Sequence, residues 1–252
     1  MSAISVMMLI CFVGGPGNHQ QAQPVVDQFL RHVERSAGWA DKSSSGAFFS
    51  RRSRCVTFFE QKKPAVVVLD LASYLALRTR WKLSPLAQMG RSDKKRYFVL
   101  VRDGSVKKLA DLKGKKVVST IRDTKFLSKI VFGGKLDAGK HFTLSFTRRP
   151  LKGVRKVARK QADATIVDEQ VMAHLGSLKL GVKLVPLHRS AKLPGLTMTV
   201  RAGTPKKVPA QLRKALPKLC KGAGSKLCKT FSISAFLPAK RALYKRLERK
   251  YK

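Results

Sequence analysis

The sequence predicts an α/β protein whose sheets are mainly parallel and flanked by helices. Three observations carry this. Short apolar runs alternate with amphipathic stretches along the whole chain. Several of the runs, such as "ISVMMLICFV" and "PAVVVLD", are apolar without alternation, as strands covered on both faces are. Glycines and hydroxyl residues punctuate the junctions, as in "DLKGKKVVST" at residues 111–120, where a helix end, a Gly stop, a strand and two hydroxyls follow one another.

The N-terminal apolar run reads as a buried strand ending at Gly14-Gly15; it has no basic segment before it, which argues against a signal peptide. On this reading the numbering starts at the mature domain and any export signal is missing from it. A turn and an Asn18 cap lead into a helix to about Gly38, with Val26, Phe29, Leu30 and Val33 at helical spacing. "AFFSRRSRCVTFFEQ" reads as a second helix, "PAVVVLD" as a strand and "LASYLAL" as the helix after it. "SPLAQMGR" and "RYFVLVR" read as strands, and "SVKKLADL" as a short helix stopped by Gly114. Strands "KKVVST", "HFTLSF" and "DATIV" then alternate with helices "DTKFLSKIVF", "LKGVRKVARKQ" and "DEQVMAHLGSL". "KLVPLHR" and "GLTMTVR" are strands. Helices at about 208–219 and 238–252 finish the chain, the last with Leu243, Leu247 and Tyr251 on one stripe.

In open sheets of this kind ligands bind beyond the carboxyl ends of strands. The candidate positions are therefore Gly14 to His19, Asp70 to Tyr74, Ser119 to Ile121, and Asp168 with Glu169. Each has a plain structural reading beside the functional one. Asn18, Asp70 and Asp123 are placed to cap helices, Asp168 and Glu169 begin a helix whose dipole favours acids, and Tyr74 suits a helix face turned to the core.

Composition narrows the classes. The 252 residues include 53 Lys plus Arg against 14 Asp plus Glu, a formal net charge of +39. Such a chain attracts polyanions, among them nucleic acid, polyphosphate, teichoic chains and anionic lipid. The basic residues lie within predicted elements, not in a tail. Lys240, Arg241, Lys245, Arg246, Arg249 and Lys250 on the last helix are the candidate polyanion surface. No apolar run is long enough to cross a membrane. Four cysteines without a CxxC pattern, and five scattered histidines, argue against a zinc site. Cys220 and Cys228 flank a short Gly-containing loop and are the disulfide candidate, whereas Cys11 and Cys55 read as core residues. No nucleophile elbow, phosphate-binding loop or HExxH motif occurs, and no cofactor or metal is expected.

Five stretches resemble the periplasmic substrate-binding proteins of phosphate, phosphite and phosphonate ABC transporters. They are "QAQPVVDQFLRHVERSAGW", "KKPAVVVLDLASYLAL", "SVKKLADLKGKKVVST", "RKVARKQADATIVDEQ" and "LPGLTMTVRAGTPKKVPAQLRKAL". The resemblance implies the type-2 periplasmic-binding-protein fold. Residues 1–95 plus 197–252 would form one lobe and 96–196 the other, with a two-strand hinge and the ligand between them. It further implies capture without chemistry, a permease partner, a monomer, and a periplasmic or extracellular setting. Ser73-Tyr74 match the family's small residue–Tyr element, and Ser119-Thr120 stand where the family has a Ser-Thr-Ser-Gly run. Here that run continues as Ile121-Arg122-Asp123. Asp168 stands at a strand exit where an acid could face a ligand amine, and Asn18, His19, Ile121 and Glu169, taken from the strand-exit rule, complete the candidate ligand set.

Overall fold

The computed structural model describes residues 5–13, 19–90, 95–230 and 233–252. They divide into two compact units. The first comprises residues 1–93 and 194–246, and the second residues 94–193 and 247–252.

Unit 1 is built on a six-stranded sheet in the order β11-β4-β10-β3-β1-β2. Strand β1 (Val6–Cys11) is almost wholly buried, which is why it needs no polar alternation. It pairs in parallel with β2 (Ser44–Phe49) and β3 (Val66–Leu69). Helix α1 (His19–Ala37) turns Val26, Phe29, Leu30 and Val33 onto one face of the sheet. Helices α2 (Arg52–Lys62) and α3 (Leu71–Leu77) follow β2 and β3. Strands β4 (Leu83–Met89), β10 (Leu196–Arg201) and β11 (Phe236–Pro238) pair antiparallel. The parallel α/β half of the sheet is thus joined to an antiparallel half through β3 and β10.

Unit 2 has a five-stranded sheet in the order β7-β6-β8-β5-β9. Strands β6 (Lys116–Ser119), β7 (Thr143–Phe146) and β8 (Ala164–Asp168) run parallel. Strands β5 (Tyr97–Arg102) and β9 (Leu184–Arg189) run antiparallel to them or to each other. After β6 come the short α4 (Thr124–Phe126), continued by a π turn over Leu127–Val131, and α5 (Ala138–His141). Helix α6 (Pro150–Ala158) packs on the sheet through Gly153. A Cβ there would meet the Thr165 hydroxyl at 2.5 Å, so only glycine permits this approach. Helix α7 (Glu169–His174) follows β8. The chain ends in α8 (Lys207–Ala215), α9 (Gly224–Thr230) and α10 (Arg241–Tyr251).

Three expectations need correction. The sheets are mixed rather than mainly parallel, because the strands on either side of each chain crossing pair antiparallel with their neighbours. The segment "SSGAFF" is strand β2, so that its "AFF" is not the start of a helix: the edge of β1 supplies its hydrogen bonds, and Gly46 keeps clear of Leu30 and Met8. Cys11 and Cys55 are buried but not free, since they form a disulfide between β1 and α2. Cys220 and Cys228 are also bonded, and no free cysteine occurs among the described residues.

Candidate functional site

In unit 2 the parallel strands bring two of the predicted positions to one sheet edge. Ser119 ends β6, in register with Phe146 of β7 on one side and Ile166 of β8 on the other. Asp168 ends β8 two residues further on. Ser119 is fully buried, and its hydroxyl oxygen accepts from the Ile121 N–H at 2.9 Å. Its carbonyl accepts from the Thr147 N–H at 3.0 Å, which holds the β6 and β7 exits side by side. The turn leaves Thr120 and Ile121 half-buried and Arg122 exposed, with the Arg122 guanidinium 5.3 Å from the Phe146 ring centre.

Asp123 is the cap of α4, accepting from the Phe126 N–H at 2.9 Å, and it also accepts from the Tyr251 hydroxyl at 2.7 Å. An acid therefore follows directly after positions 119–122, where the resembled family has its Ser-Thr-Ser-Gly run. Asp168 caps α7 through the Val171 N–H and is ion-paired with Lys95 at 3.2 Å, while Glu169 is exposed. Lys95 in turn lies 5.5 Å from the Tyr97 ring centre. The unit-2 edge thus carries hydroxyl donors, Lys95 and Arg122 among its acids. That is a chemistry for holding an oxyanion.

In unit 1, Asp70 caps α3 as its sequence position implies. It accepts both the Ser73 N–H and the Ser73 hydroxyl at 2.8 Å. The Ser73 hydroxyl is thereby committed within the element. Tyr74 is fully buried and packs edge-on against Tyr244 at 5.6 Å between ring centres. His19 opens α1. Asn18 lies outside the described residues.

Sequence reasoning missed Gln88. It lies in β4 opposite Thr197 of β10, so the two side chains share a face. The Thr197 hydroxyl bonds the Tyr244 hydroxyl at 2.9 Å. Gln88 is 1% exposed, and neither its amide nitrogen nor its oxygen has a partner among the described residues. Nothing in "SPLAQMGR" marks this glutamine, because its burial depends on the strands on either side. Lys95 and Tyr251 were missed for the same reason: their acidic partners are distant in sequence.

Among the described residues no group of three metal-ligating side chains occurs, and no helix is long and apolar enough to cross a membrane. Lys240, Arg241, Lys245, Arg246, Arg249 and Lys250 are all exposed.

The family model for the periplasmic substrate-binding protein of phosphonate ABC transporters matches residues 53–244. The chain belongs to this family of transport components. No protein of curated function matches the sequence. Solved structures agree on the fold. XAC2383 from Xanthomonas citri, bound to ATP, superposes with a TM-score of 0.76 at 16% identity, covering 98% of this chain and 96% of that one. A binding protein component of an ABC phosphonate transporter from Pseudomonas aeruginosa gives 0.70 at 15% identity, covering 98% and 87%. PhnD1 from Prochlorococcus marinus, in complex with methylphosphonate, gives 0.69 at 14% identity, covering 98% and 97%. Each chain is a relative in architecture, and the two-lobed type-2 binding-protein fold is common to them.

Proposed function

We propose that this chain captures a phosphonate or a similar small oxyanion, such as phosphate or phosphite, and passes it to an ABC permease. The observation that carries the reading is the family match across residues 53–244. The β6 exit supports it chemically. Thr120 presents a hydroxyl with no partner among the described residues, the buried Ser119 fixes the turn by accepting the Ile121 N–H, and Arg122 adds a cation. Asp168 and Glu169 bound the same edge and suit a ligand amine, with Lys95 balancing Asp168. Ser73 and Tyr74 act in unit 1 by positioning: Ser73 fixes Asp70, and Tyr74 packs under Tyr244. Asn18 and His19 follow the β1 run in the sequence and are the remaining candidates there. Two disulfides in one chain support an oxidising setting, the periplasm or the outside of the cell.

Calorimetry with methylphosphonate, phosphate, phosphite and ATP tests this; ATP is included because XAC2383 holds it. The wild type is expected to bind at least one of the three small oxyanions. Ser119→Ala with Thr120→Ala is expected to weaken binding by about 1–3 kcal/mol, the range for removing hydrogen-bond partners of a charged group. Unchanged affinity in the double variant would remove the turn from the site. Failure of the wild type to bind any of the small oxyanions would sink the ligand class.

A further inference from the structure

Basic side chains occupy places where local backbone physics disfavours them. Among the described residues, the non-glycine positions with positive φ are all lysines: Lys42 (55°), Lys63 (44°), Lys82 (51°) and Lys160 (59°). Glycine or asparagine is the usual occupant of such a backbone, because a Cβ crowds the neighbouring carbonyl. Arg51, Arg149 and Lys206 stand at the N-caps of α2, α6 and α8 and make no side-chain cap bond. Ser, Thr, Asp or Asn would satisfy an N–H there, and a cation opposes the helix dipole. The positive charge is maintained against local preference, which a surface needing only solubility does not require.

The charge is also uneven. Residues 1–50 contain three basic and three acidic residues, so the β1–α1–β2 segment is neutral and all the surplus lies beyond it. Strand β2 forms one edge of the unit-1 sheet, and β11, which leads into α10, forms the other. On α10 the 3.6-residue period spreads Arg241, Lys245, Arg249, Arg246 and Lys250 over half the circumference, all exposed. Tyr244 and Leu247 are buried on the other half. Lys240 and Lys252 flank the arc, and Glu248 is the one acid of the helix.

We propose that this cationic face of α10 docks on an anionic bilayer surface, the leaflet that surrounds the permease. The inference rests on the transport reading, which makes a membrane the place of delivery. Three features favour lipid headgroups. With its flanks the arc carries four lysines, Lys240, Lys245, Lys250 and Lys252, beside Arg241, Arg246 and Arg249, and lysine is a point charge suited to a diffuse anionic field. The exposed arc carries no apolar side chain larger than Ala242, so attachment is electrostatic adsorption without insertion. It carries no aromatic ring on which nucleic-acid bases could stack. A binding protein held at the leaflet finds its permease by a two-dimensional search.

The test is vesicle co-sedimentation of the ligand-free protein. Vesicles of phosphatidylcholine alone are compared with vesicles containing about 30% phosphatidylglycerol, at ~50 and ~300 mM salt, a range across which screening changes strongly. The wild type is expected on the anionic vesicles only, and to leave them as salt rises. Each cation near such a leaflet contributes about five-fold, so Lys245→Glu, Arg246→Glu, Arg249→Glu and Lys250→Glu together should weaken partitioning by at least ~100-fold. The same four positions changed to Gln should give a smaller loss in the same direction. Charge reversal of four exposed cations on and just after α6, Lys152, Arg155, Arg159 and Lys160, should weaken it by no more than about ten-fold, because the proposal assigns the docking to α10. Equal losses from the two sets, or no binding of the wild type to anionic vesicles, would overturn the proposal. So would α10 substitutions that weaken duplex DNA binding and leave vesicle binding intact. Calorimetry with methylphosphonate, phosphate and phosphite runs in parallel on the wild type. If none of the three binds while the α10 dependence holds, the transport reading falls and the docking face stands.

Discussion

Thr197 of β10 and Tyr244 of α10 share a hydrogen bond between hydroxyls 2.9 Å apart, and both residues are fully buried. Burial pushes the Tyr244 hydroxyl up to about 12, against the opposing effect of the Thr197 bond. In the unfolded chain a tyrosine ionises near its ordinary value, about 10. Between these two values the unfolded state binds fewer protons than the folded state, so stability falls as pH rises. The contribution is complete below pH 10 and lost by the time pH passes about 12, on the order of 3 kcal/mol in all.

Tyr244→Phe therefore has two expected effects. At neutral pH it loses about 1 kcal/mol by leaving the Thr197 hydroxyl unanswered. In alkali its stability falls less steeply than that of the wild type. Urea denaturation of both proteins at about pH 8 and about pH 11.5 reads this directly. Parallel slopes would show that Tyr244 ionises as an ordinary tyrosine.

Among the described residues Gln88 has no partner for either end of its amide, and a buried unsatisfied polar group costs about 1–3 kcal/mol. Gln88→Met keeps the length of the side chain and removes the polar atoms. It is expected to raise unfolding free energy by about 1–2 kcal/mol. A lowered stability would show instead that a bound water or solute answers the amide.

The two disulfides should differ in weight. Cys11–Cys55 spans 44 residues of sequence and Cys220–Cys228 spans 8. Loop-closure entropy predicts about 4 kcal/mol for the first and about 2.5 kcal/mol for the second. Replacing each pair by alanines should lower the melting temperature in that order. The reverse order would mean that strain or residual structure in the unfolded chain outweighs loop length.

Much of the local structure was legible. Asp70 and Asp123 read as caps and accept from the N–H three residues on, because a cap depends only on its own turn. The Cys220–Cys228 pair was legible because a short loop keeps its ends together. At the candidate site the strand exits could be listed from sequence, but not their occupants. Ser73 was placed correctly, yet its hydroxyl goes to Asp70. The stripe on the last helix was read as Leu243, Leu247 and Tyr251, whereas the deepest residue is Tyr244, which the β10 hydroxyl row draws inward.

By itself the sequence determined the alternation of strands and helices, the caps and stops, the family and the surplus of positive charge. These depend on residue type and on neighbours within a turn or two. Only the tertiary structure decided that "SSGAFF" is a strand, that Cys11 meets Cys55, that Lys95 answers Asp168, and that Gln88 is buried without a partner among the described residues. Each of these depends on which strands lie side by side. Strand order is set by long-range burial and pairing, and no local preference encodes it.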